Sequence, residues 1–341
     1  MPESISYKKL GEENPAEFFR TVVEPLADSF DPANVARYAE IMREWGLAPV
    51  PGHGAIPATV DNVYVLSRVT LGADIKITSS ILHAMKSRFP GARIVFVSGR
   101  KSRELFEADP RMEHLEAEYP RTGPVSKRIA FGKSLRGKLE NGIVIDPDSR
   151  MTQLGLVEVC NPERYFHFPS RSIGGSGLEN LTSLTRRWSE ETFGVTGEAY
   201  VAPKPVAVEI EHPAAAISLG VGQNENKRIA GDFEPNLIRE LGARYKTLWI
   251  DRGAGGEEAR RVTAAVEAAG VKAKFWEGSF AGFVSLIGQC DFYTGYDSAG
   301  QHAAAALGIP LVTYFIGSPS EVFRARWSPL GPGPAEVIAR P

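Results

Sequence analysis

The chain has 341 residues, of which 43% are apolar and 23% are charged, and its formal net charge is −2. The length is sufficient for two domains, and the near-neutral charge argues against nucleic-acid binding, which needs a basic excess. The two cysteines do not suggest a disulfide framework, and the apolar runs are too short to span a bilayer. The first residues lack the pattern of a secretory signal, so we expect a cytoplasmic protein with at most peripheral membrane contact.

Residues 1–58 are predicted to form a helical N-terminal extension. Asn14 followed by Pro15 is typical of a helix start, and residues 31–45 have the pattern of a second, amphipathic helix. Residues 49–54 are rich in proline and glycine and predict a linker.

Residues 59–203 are predicted to form a first domain in which strands alternate with helices. The patterns predict strands at 62–66, 93–98 and 142–146 and helices at 75–88 and 102–108. The alternation restarts in residues 204–341. Here strands are predicted at 214–219, 247–250, 272–276, 291–293 and 311–316, and helices at 233–241, 257–269, 280–289 and from about Ser298. We therefore expect an α/β protein of two Rossmann-like, doubly wound parallel-sheet domains that face each other across a cleft.

The most informative stretch is residues 297–302, which read Asp-Ser-Ala-Gly-Gln-His and precede an alanine-rich helix. The start of a helix has unpaired N–H groups and a partial positive charge, which suit a phosphate. The alternative is an ordinary helix cap.

Two further loops should end at the same sheet edge as this turn. Residues 220–228 contain glycines and Lys227, which suit a phosphate, although a surface turn with a solvated lysine is an equal alternative. Residues 251–258 contain acids that could accept hydrogen bonds from ribose hydroxyls or could simply favour a helix start. Neither a Walker loop nor the Gly-x-Gly-x-x-Gly signature is present.

In the first domain, Asp74 is a candidate general base, and an N-cap of a helix starting at Ile75 is the alternative. Asp146-Pro147-Asp148 could hold a metal, but a polar turn is favoured. The histidines show no ligand spacing, so no metal site is expected. Residues 121–138 contain six basic residues and no acid, which predicts a solvated loop or a clamp for an anionic acceptor.

These features together resemble the family 9 glycosyltransferases, the heptosyltransferase group with the B-type fold. The resemblance is carried by residues 71–78 with 89–94, by residues 220–227 and by residues 297–310, and it extends from residue 60 to about 330. It implies that Asp74 is the catalytic base and that Lys227 holds the diphosphate. The other implied donor-binding residues are Gly222, Gln223, Glu257 at the ribose, Asp297, Ser298, Ala299, Gly300 and His302. Asp146, Asp148 and Arg150 are assigned to acceptor binding.

The chain departs from the family pattern in two places. Ala299 replaces the usual glycine, and Ala73 separates Gly72 from Asp74, where many members have Gly-Asp. A C-terminal crossover helix is also expected to be truncated, so that the N-terminal extension could fill its groove.

The expected function is that of an inverting, metal-independent glycosyltransferase without a cofactor. Its expected partners are a nucleotide-diphospho sugar, with a heptose as one possibility, and a hydroxyl-bearing acceptor. The acceptor could be a saccharide, a lipopolysaccharide core or a small natural product. Two alternatives stay open: a nucleotide-sugar epimerase, and a non-catalytic nucleotide-binding partner of a glycosyltransferase.

Overall fold

The computed structural model describes residues 6–221, 225–253 and 255–340. The chain divides into two compact units. The first unit is formed by Met1–Arg103 and Pro110–Glu198, and the second by Glu104–Asp109 and Ala199–Pro341.

The first unit is built on a sheet of five parallel strands in the order β3-β2-β1-β4-β5. The strands are β1 (Asn62–Leu66), β2 (Arg93–Ser98), β3 (Met112–Glu116), β4 (Gly142–Asp146) and β5 (Tyr165–His167). The chain order reverses between β1 and β4. In doubly wound sheets this is the point where ligands bind, outside the carboxyl ends of the strands.

Nine α-helices and several shorter turns of helix accompany this sheet in the described residues. The helices are α1 (Tyr7–Glu13), α2 (Pro15–Phe18), α3 (Glu24–Ala27), α4 (Pro32–Met42), α5 (Leu71–Ala73), α6 (Ser79–Arg88), α7 (Arg100–Glu104), α8 (Val125–Ser134) and α9 (Leu181–Phe193). Phe19–Val23 and Asp74–Thr78 are π-helical, and Arg43–Trp45, Arg136–Lys138, Arg150–Thr152 and Pro162–Arg164 are 3₁₀-helical.

The N-terminal helices are part of the core of the first unit. Phe18, Tyr38 and Met42 are buried in one apolar cluster with Leu66 and Val97 of the sheet. Side chains alternate between the two faces of a strand, and α6 packs against β1 and β2. Residues 7–47 therefore contribute to the apolar layer formed by every second residue of the central strands.

The second unit is built on a sheet of six parallel strands in the order β11-β10-β9-β6-β7-β8. The strands are β6 (Ala214–Ser218), β7 (Thr247–Asp251), β8 (Lys274–Trp276), β9 (Phe292–Tyr296), β10 (Leu311–Ile316) and β11 (Ala335–Arg340). The α-helices are α10 (Phe233–Arg244), α11 (Gly256–Ala269), α12 (Phe280–Ile287), α13 (Ala299–Ala306) and α14 (Glu321–Trp327), and Glu225–Lys227 is 3₁₀-helical. Counted from β6, this is the 3-2-1-4-5-6 order of the Rossmann fold, with its switch point between β6 and β9.

The predicted fold class of two Rossmann-like parallel sheets is confirmed, whereas several elements were not predicted. The unpredicted elements include α1, β3, β5, α9, α14 and β11. The basic stretch 121–138 is also a correction, because it contains α8 and not a solvated loop. The helix buries Arg128, while Lys127 and Lys133 face solvent.

None of the helices within the described parts of the chain combines the length and apolar character needed to cross a bilayer.

Candidate functional site

At the switch point of the second sheet, Asp297 is held from two directions. It follows β9 directly, and its Oδ2 accepts a hydrogen bond from Lys227 Nζ at 2.8 Å. Its Oδ1 accepts one from Gln301 Nε2 at 2.6 Å, one turn further along α13. The Lys227 side chain is 30% exposed and that of Asp297 is 11% exposed. The structure therefore brings together two residues that the sequence assigned to one site, and it leaves the lysine within reach of solvent.

The turn after Asp297 starts α13 as predicted. Ser298 is the N-cap residue, in extended conformation, and the helix begins at Ala299. Gly300 is buried over the ring of Tyr293, where a Cβ atom would collide with the tyrosine hydroxyl. His302 is buried, and its ring centroid lies 5.8 Å from that of Trp327. The packing against Tyr293 thus explains why residue 300 is a glycine. Ser298 and Ala299 are partly exposed at the helix start.

Two of the predicted donor-binding residues, Gly222 and Gln223, lie outside the described residues. The rest of their loop is fixed by a buried ion-pair network. Glu234 at the start of α10 accepts hydrogen bonds from Arg261 and Tyr296, and it also forms an ion pair with Arg228. Arg261 donates in addition to the carbonyl of Leu219 at 2.7 Å. This network ties the chain after β6 to α10 and α11.

At the start of α11 the structure distinguishes two neighbouring acids. The side chain of Glu257 is 84% exposed and forms an ion pair with Arg260. Glu258 instead lies against the backbone of the strand ends, where a Cβ atom at Gly220 would come within 2.5 Å of its Oε1. Burial, followed by the nearby charge of Asp251, raises the pKa of Glu258. Glu258 and Asp251, and not Glu257, are thus the acids at the sheet edge. The Rossmann fold commonly places a ribose-binding acid at this edge.

In the first unit, Asp74 is completely buried and accepts four hydrogen bonds. Its Oδ2 accepts from the hydroxyls of Ser67 (2.6 Å) and Ser102 (2.7 Å). Its Oδ1 accepts from the backbone N–H of Arg68 (2.7 Å) and from Thr78 Oγ1 (2.9 Å). These donors use the four lone-pair positions of a carboxylate. Burial raises the pKa of Asp74 against the opposing effect of the four hydrogen bonds.

The alternative that Asp74 caps a helix is wrong, because Thr70 is the N-cap residue and the helix begins at Leu71. The regular helix is then interrupted at Asp74–Thr78 by a π-helical turn. A π-turn takes up extra chain length within a helix, and such turns are frequent at functional sites. Ala73, which separates Gly72 from Asp74, is the last residue before this turn.

The turn after β4 shows how the Asp146-Pro147-Asp148 triplet is used. Asp146 is fully buried and accepts hydrogen bonds from the Ser149 N–H, Thr152 Oγ1 and Tyr165 Oη. Asp148 is in a left-handed conformation, with φ of 69°. These contacts describe a polar turn, and they leave the predicted acceptor-binding role of Asp146 and Asp148 a prediction.

Asp148 also belongs to a charged cluster. It accepts the backbone N–H of Arg171 at 2.8 Å and lies 3.2 Å from His167 Nε2. The third predicted acceptor residue, Arg150, donates from Nη2 to Asp28 Oδ2 at 2.8 Å. Arg171 donates from Nε to the other oxygen of the same carboxylate, also at 2.8 Å. Arg68, which follows β1, donates to Ser170.

The two Rossmann-like units in tandem define the class, which is the B-type glycosyltransferase fold. No protein-family model matches the sequence, and no curated protein matches it. Solved structures match the fold over most of the chain.

The E. coli heptosyltransferase WaaC with ADP has a TM-score of 0.60 at 14% identity, covering 82% of this chain and 93% of that one. A family 9 glycosyltransferase from Veillonella parvula has a TM-score of 0.64 at 16% identity, and the match covers 84% of this chain and 88% of that one. The E. coli ADP-heptose lipopolysaccharide heptosyltransferase II has a TM-score of 0.55 at 18% identity, and the match covers 81% of this chain and 90% of that one. The heptosyltransferase-like fold suggested by the sequence motifs is thus confirmed.

Sequence reasoning missed several residues at these sheet edges. Arg68 and Glu258 could have been found, because Arg68 comes shortly after a predicted strand and Glu258 lies in residues 251–258, which were already expected at a sheet edge. Arg171 follows a strand that was not predicted, and Asp28 belongs to the extension outside the resemblance. No local pattern connects these last two residues to the site.

Proposed function

We propose that this protein is a glycosyltransferase that moves a sugar from a nucleotide-diphospho sugar to an acceptor hydroxyl. The observation that carries the proposal is the arrangement of Lys227, Asp297 and Gln301 at the start of α13, at the switch point of the second sheet. A partly exposed lysine beside a helix N-terminus suits a diphosphate. The matched structures support a sugar-transfer reaction, since they include two heptosyltransferases, one of them with ADP.

The chemistry requires a leaving group and a base. The acceptor oxygen would attack the anomeric carbon as the bond from that carbon to the diphosphate breaks, which inverts the configuration. The electron pair leaves with the diphosphate, and Lys227 and the start of α13 would stabilise the charge that develops there. Because these groups supply the positive charge, we propose that no metal ion is needed, and turnover is expected to persist in EDTA.

Asp74 is the proposed acceptor of the proton. Its raised pKa favours proton uptake. Four donors surround the carboxylate of Asp74, so a substrate hydroxyl can reach it only if one of them moves away. We propose that this donor is the hydroxyl of Ser102 or Ser67. General base assistance contributes about 10²–10⁴-fold, so alignment and charge stabilisation must supply most of the rate.

The donor site is proposed to bind the ribose through Glu258 and the diphosphate through Lys227. A thermal-shift panel with ADP, GDP, UDP and dTDP tests this, because the stabilisation by a ligand grows with the ratio of its concentration to its Kd. We expect ADP to stabilise the protein most. If none of the four nucleotides shifts the unfolding midpoint, the donor site is wrong.

Product analysis then tests the reaction. A glycoside with inverted anomeric configuration, released together with the nucleoside diphosphate, is the expected result. The enclosed carboxylate of Asp74 and the methyl group of Ala299 favour one second candidate, a nucleotide-binding protein without turnover. Nucleotide binding without consumption of any sugar donor would select that candidate.

A further inference from the structure

Three arginine side chains are buried where three adjacent strands of the first sheet end. Arg68 follows β1, Arg150 follows β4 and Arg171 follows β5, and these three strands are neighbours. Their exposed fractions are only 2%, 8% and 4%. A buried charge is costly unless it is paired and hydrogen-bonded. The positions of the negative partners therefore decide what this arginine cluster (Arg68, Arg150 and Arg171) can do.

Two carboxylates lie within the arginine cluster. Asp148 contacts Arg171 through its side chain at 3.6 Å and through its backbone carbonyl at 2.5 Å. Asp28 reaches in from the turn between α3 and α4 and bridges Arg150 and Arg171 with 2.8 Å contacts. Burial raises the pKa of Asp28, but Arg150, Arg171 and Arg68 together lower it by more than burial raises it. The carboxyl group is therefore ionised at neutral pH.

The three arginines and the two carboxylates that contact them carry one more positive than negative charge, and the carboxyl of Glu24 also interacts electrostatically with Arg150 and Asp28. Burial, followed by the charge of Arg171, lowers the pKa of Arg68 to about 9, which leaves it protonated at neutral pH. Asp28 and Asp148 form ion pairs with Arg150 and Arg171, whereas Arg68 has no ion pair of its own among the described residues. His167 also contacts Asp148 and adds no negative charge. Within the described residues, Arg68 Nε and Arg150 Nη1 are buried without a hydrogen-bond acceptor.

Asp28 is the most accessible member of this group. Its side chain is 39% exposed, against 9% for Arg150, 5% for Arg171 and 3% for Asp148. The guanidinium group of Arg150 is also held over the ring of Phe19, 5.0 Å from its centroid. An incoming anion could thus replace the carboxylate of Asp28, whereas the arginines are fixed by their surroundings.

We propose that the arginine cluster is an anion-binding subsite for one carboxylate or phosphate group of a ligand, and that Asp28 is an internal competitor for it. In the free protein the Asp28 carboxylate bridges Arg150 and Arg171. A ligand anion takes that place and pairs also with the unused N–H groups of Arg68 and Arg150, so that Asp28 turns to solvent. If the proposed function holds, the ligand is an acceptor that carries such a group, and Asp28 sets the threshold for its binding.

The test is isothermal titration of the full chain with inorganic phosphate and with acetate, at constant ionic strength and without any nucleotide. We expect weak binding to the wild type and binding about tenfold tighter to Asp28→Asn, because an amide does not compete as an anion. Glu40→Gln removes an exposed charge from the same N-terminal segment and should behave as the wild type. Arg150→Gln should lose binding.

A preference for acetate would identify a carboxylate ligand, and a preference for phosphate a phosphorylated one. Lys227→Met should leave this binding unchanged, which separates it from any phosphate held by the second unit. Equal affinities for the wild type, Asp28→Asn and Glu40→Gln, or no binding by any of them, would overturn the proposal and leave a structural ion-pair cluster.

A measurement on the wild type covers the case in which Asp28→Asn does not fold. Saturating anion should increase amide hydrogen exchange in residues 24–32, because the carboxylate that holds this turn is released. Unchanged exchange at saturation would contradict the displacement of Asp28. Both experiments omit the sugar donor, so their failure would leave the proposed transfer reaction untouched, and a missing transfer reaction would leave the anion site standing.

Discussion

Lys227 Nζ lies 2.8 Å from the carboxylate of Asp297, although 70 residues separate the two in sequence. The pair joins the loop after the first strand of the second sheet to the turn after the fourth, so it forms only when the sheet is assembled. It also places a negative charge next to a proposed diphosphate site. Substitutions of the two residues can therefore distinguish a role of Lys227 in nucleotide binding from a role of the pair in holding the structure.

We expect Lys227→Met to weaken ADP binding about tenfold or more, because a charge-assisted hydrogen bond contributes about 1.5–3 kcal/mol. Asp297→Asn should bind ADP at least as well as the wild type, since it removes a like charge and keeps an acceptor for the lysine. Isothermal titration measures both. Lys272→Met, a change at an exposed lysine of the same unit, is the control. Equal losses in Lys227→Met and Asp297→Asn would show that the pair is only structural.

Glu258→Gln should reduce the affinity for ADP and abolish any preference for ADP over 2′-deoxy-ADP. The reason is that its carboxylate lies at the sheet edge beside Gly220 and Gly253, where the ribose is proposed to bind. Glu257→Gln is a matched control with the same chemistry one residue away, on a side chain that is 84% exposed. If Glu257→Gln instead lost the preference for ADP over 2′-deoxy-ADP, Glu257 would be the ribose-binding acid, as the sequence predicted.

Ala299→Gly should strengthen ADP binding if, as we propose, the methyl group at the first position of α13 hinders the approach of a phosphate to the helix N–H groups. The expected gain is about two- to fivefold, since helix-start contacts with anions are worth about 0.3–1 kcal/mol. Titration with ADP and with adenosine tests the origin of the effect. Only the diphosphate should gain affinity. An equal gain for adenosine would place the effect away from the phosphates.

Asp74→Asn should abolish most turnover and also lower the free energy of unfolding by about 1–3 kcal/mol, because the amide cannot accept all four present hydrogen bonds. Urea denaturation measures the stability. Ser102→Ala removes one of the donors and should cost less stability while the carboxylate remains. Turnover must be compared at a temperature where all variants are folded. Full activity in Asp74→Asn would mean that another group takes the proton.

The contact between His167 and Asp148 should make stability depend on pH. Burial lowers the pKa of His167, but the Asp148 carboxylate raises it by more than burial lowers it. The pKa therefore lies above its ordinary value of 6.5. A raised pKa in the folded state stabilises the protein below pH 6.5, and this stability is lost as the pH rises through the folded value. As the pH rises above 6.5, the free energy of unfolding should fall by more in the wild type than in His167→Gln. His53→Gln, at a histidine outside this pair, should retain the wild-type slope.

Much of the fold could be predicted because it depends on local patterns. The strands at 62–66, 93–98 and 142–146 and most of those in the second unit are apolar runs between helical segments, and these alone define two parallel sheets. The start of α13 was predicted for the same reason, since Ser298 and the alanines after it form a local helix signal. By contrast, β5 has only three residues and β11 is a largely exposed edge strand, so neither has a pattern that can be recognised alone.

The site divides in the same way. Asp74, Lys227 and Asp297 were proposed from the sequence because each stands beside a glycine-containing turn at the end of a strand. The choice between Glu257 and Glu258 depends on which face of α11 packs on the sheet. Asp28 meets Arg150 and Arg171 only because the N-terminal helices pack into the first unit, and contacts over 122 and 143 residues leave no local pattern.

The sequence by itself determined the class of fold and the loops that end at the sheet edges, because hydrophobic periodicity and turn residues act over a few positions. Tertiary structure alone decided the state of each charge: the four donors around Asp74, the pairing of Lys227 with Asp297, and the contacts of Asp28 with the buried arginines. The physical reason is that the energy of a charge depends on its solvation and on its neighbours in space, which the chain defines only after folding.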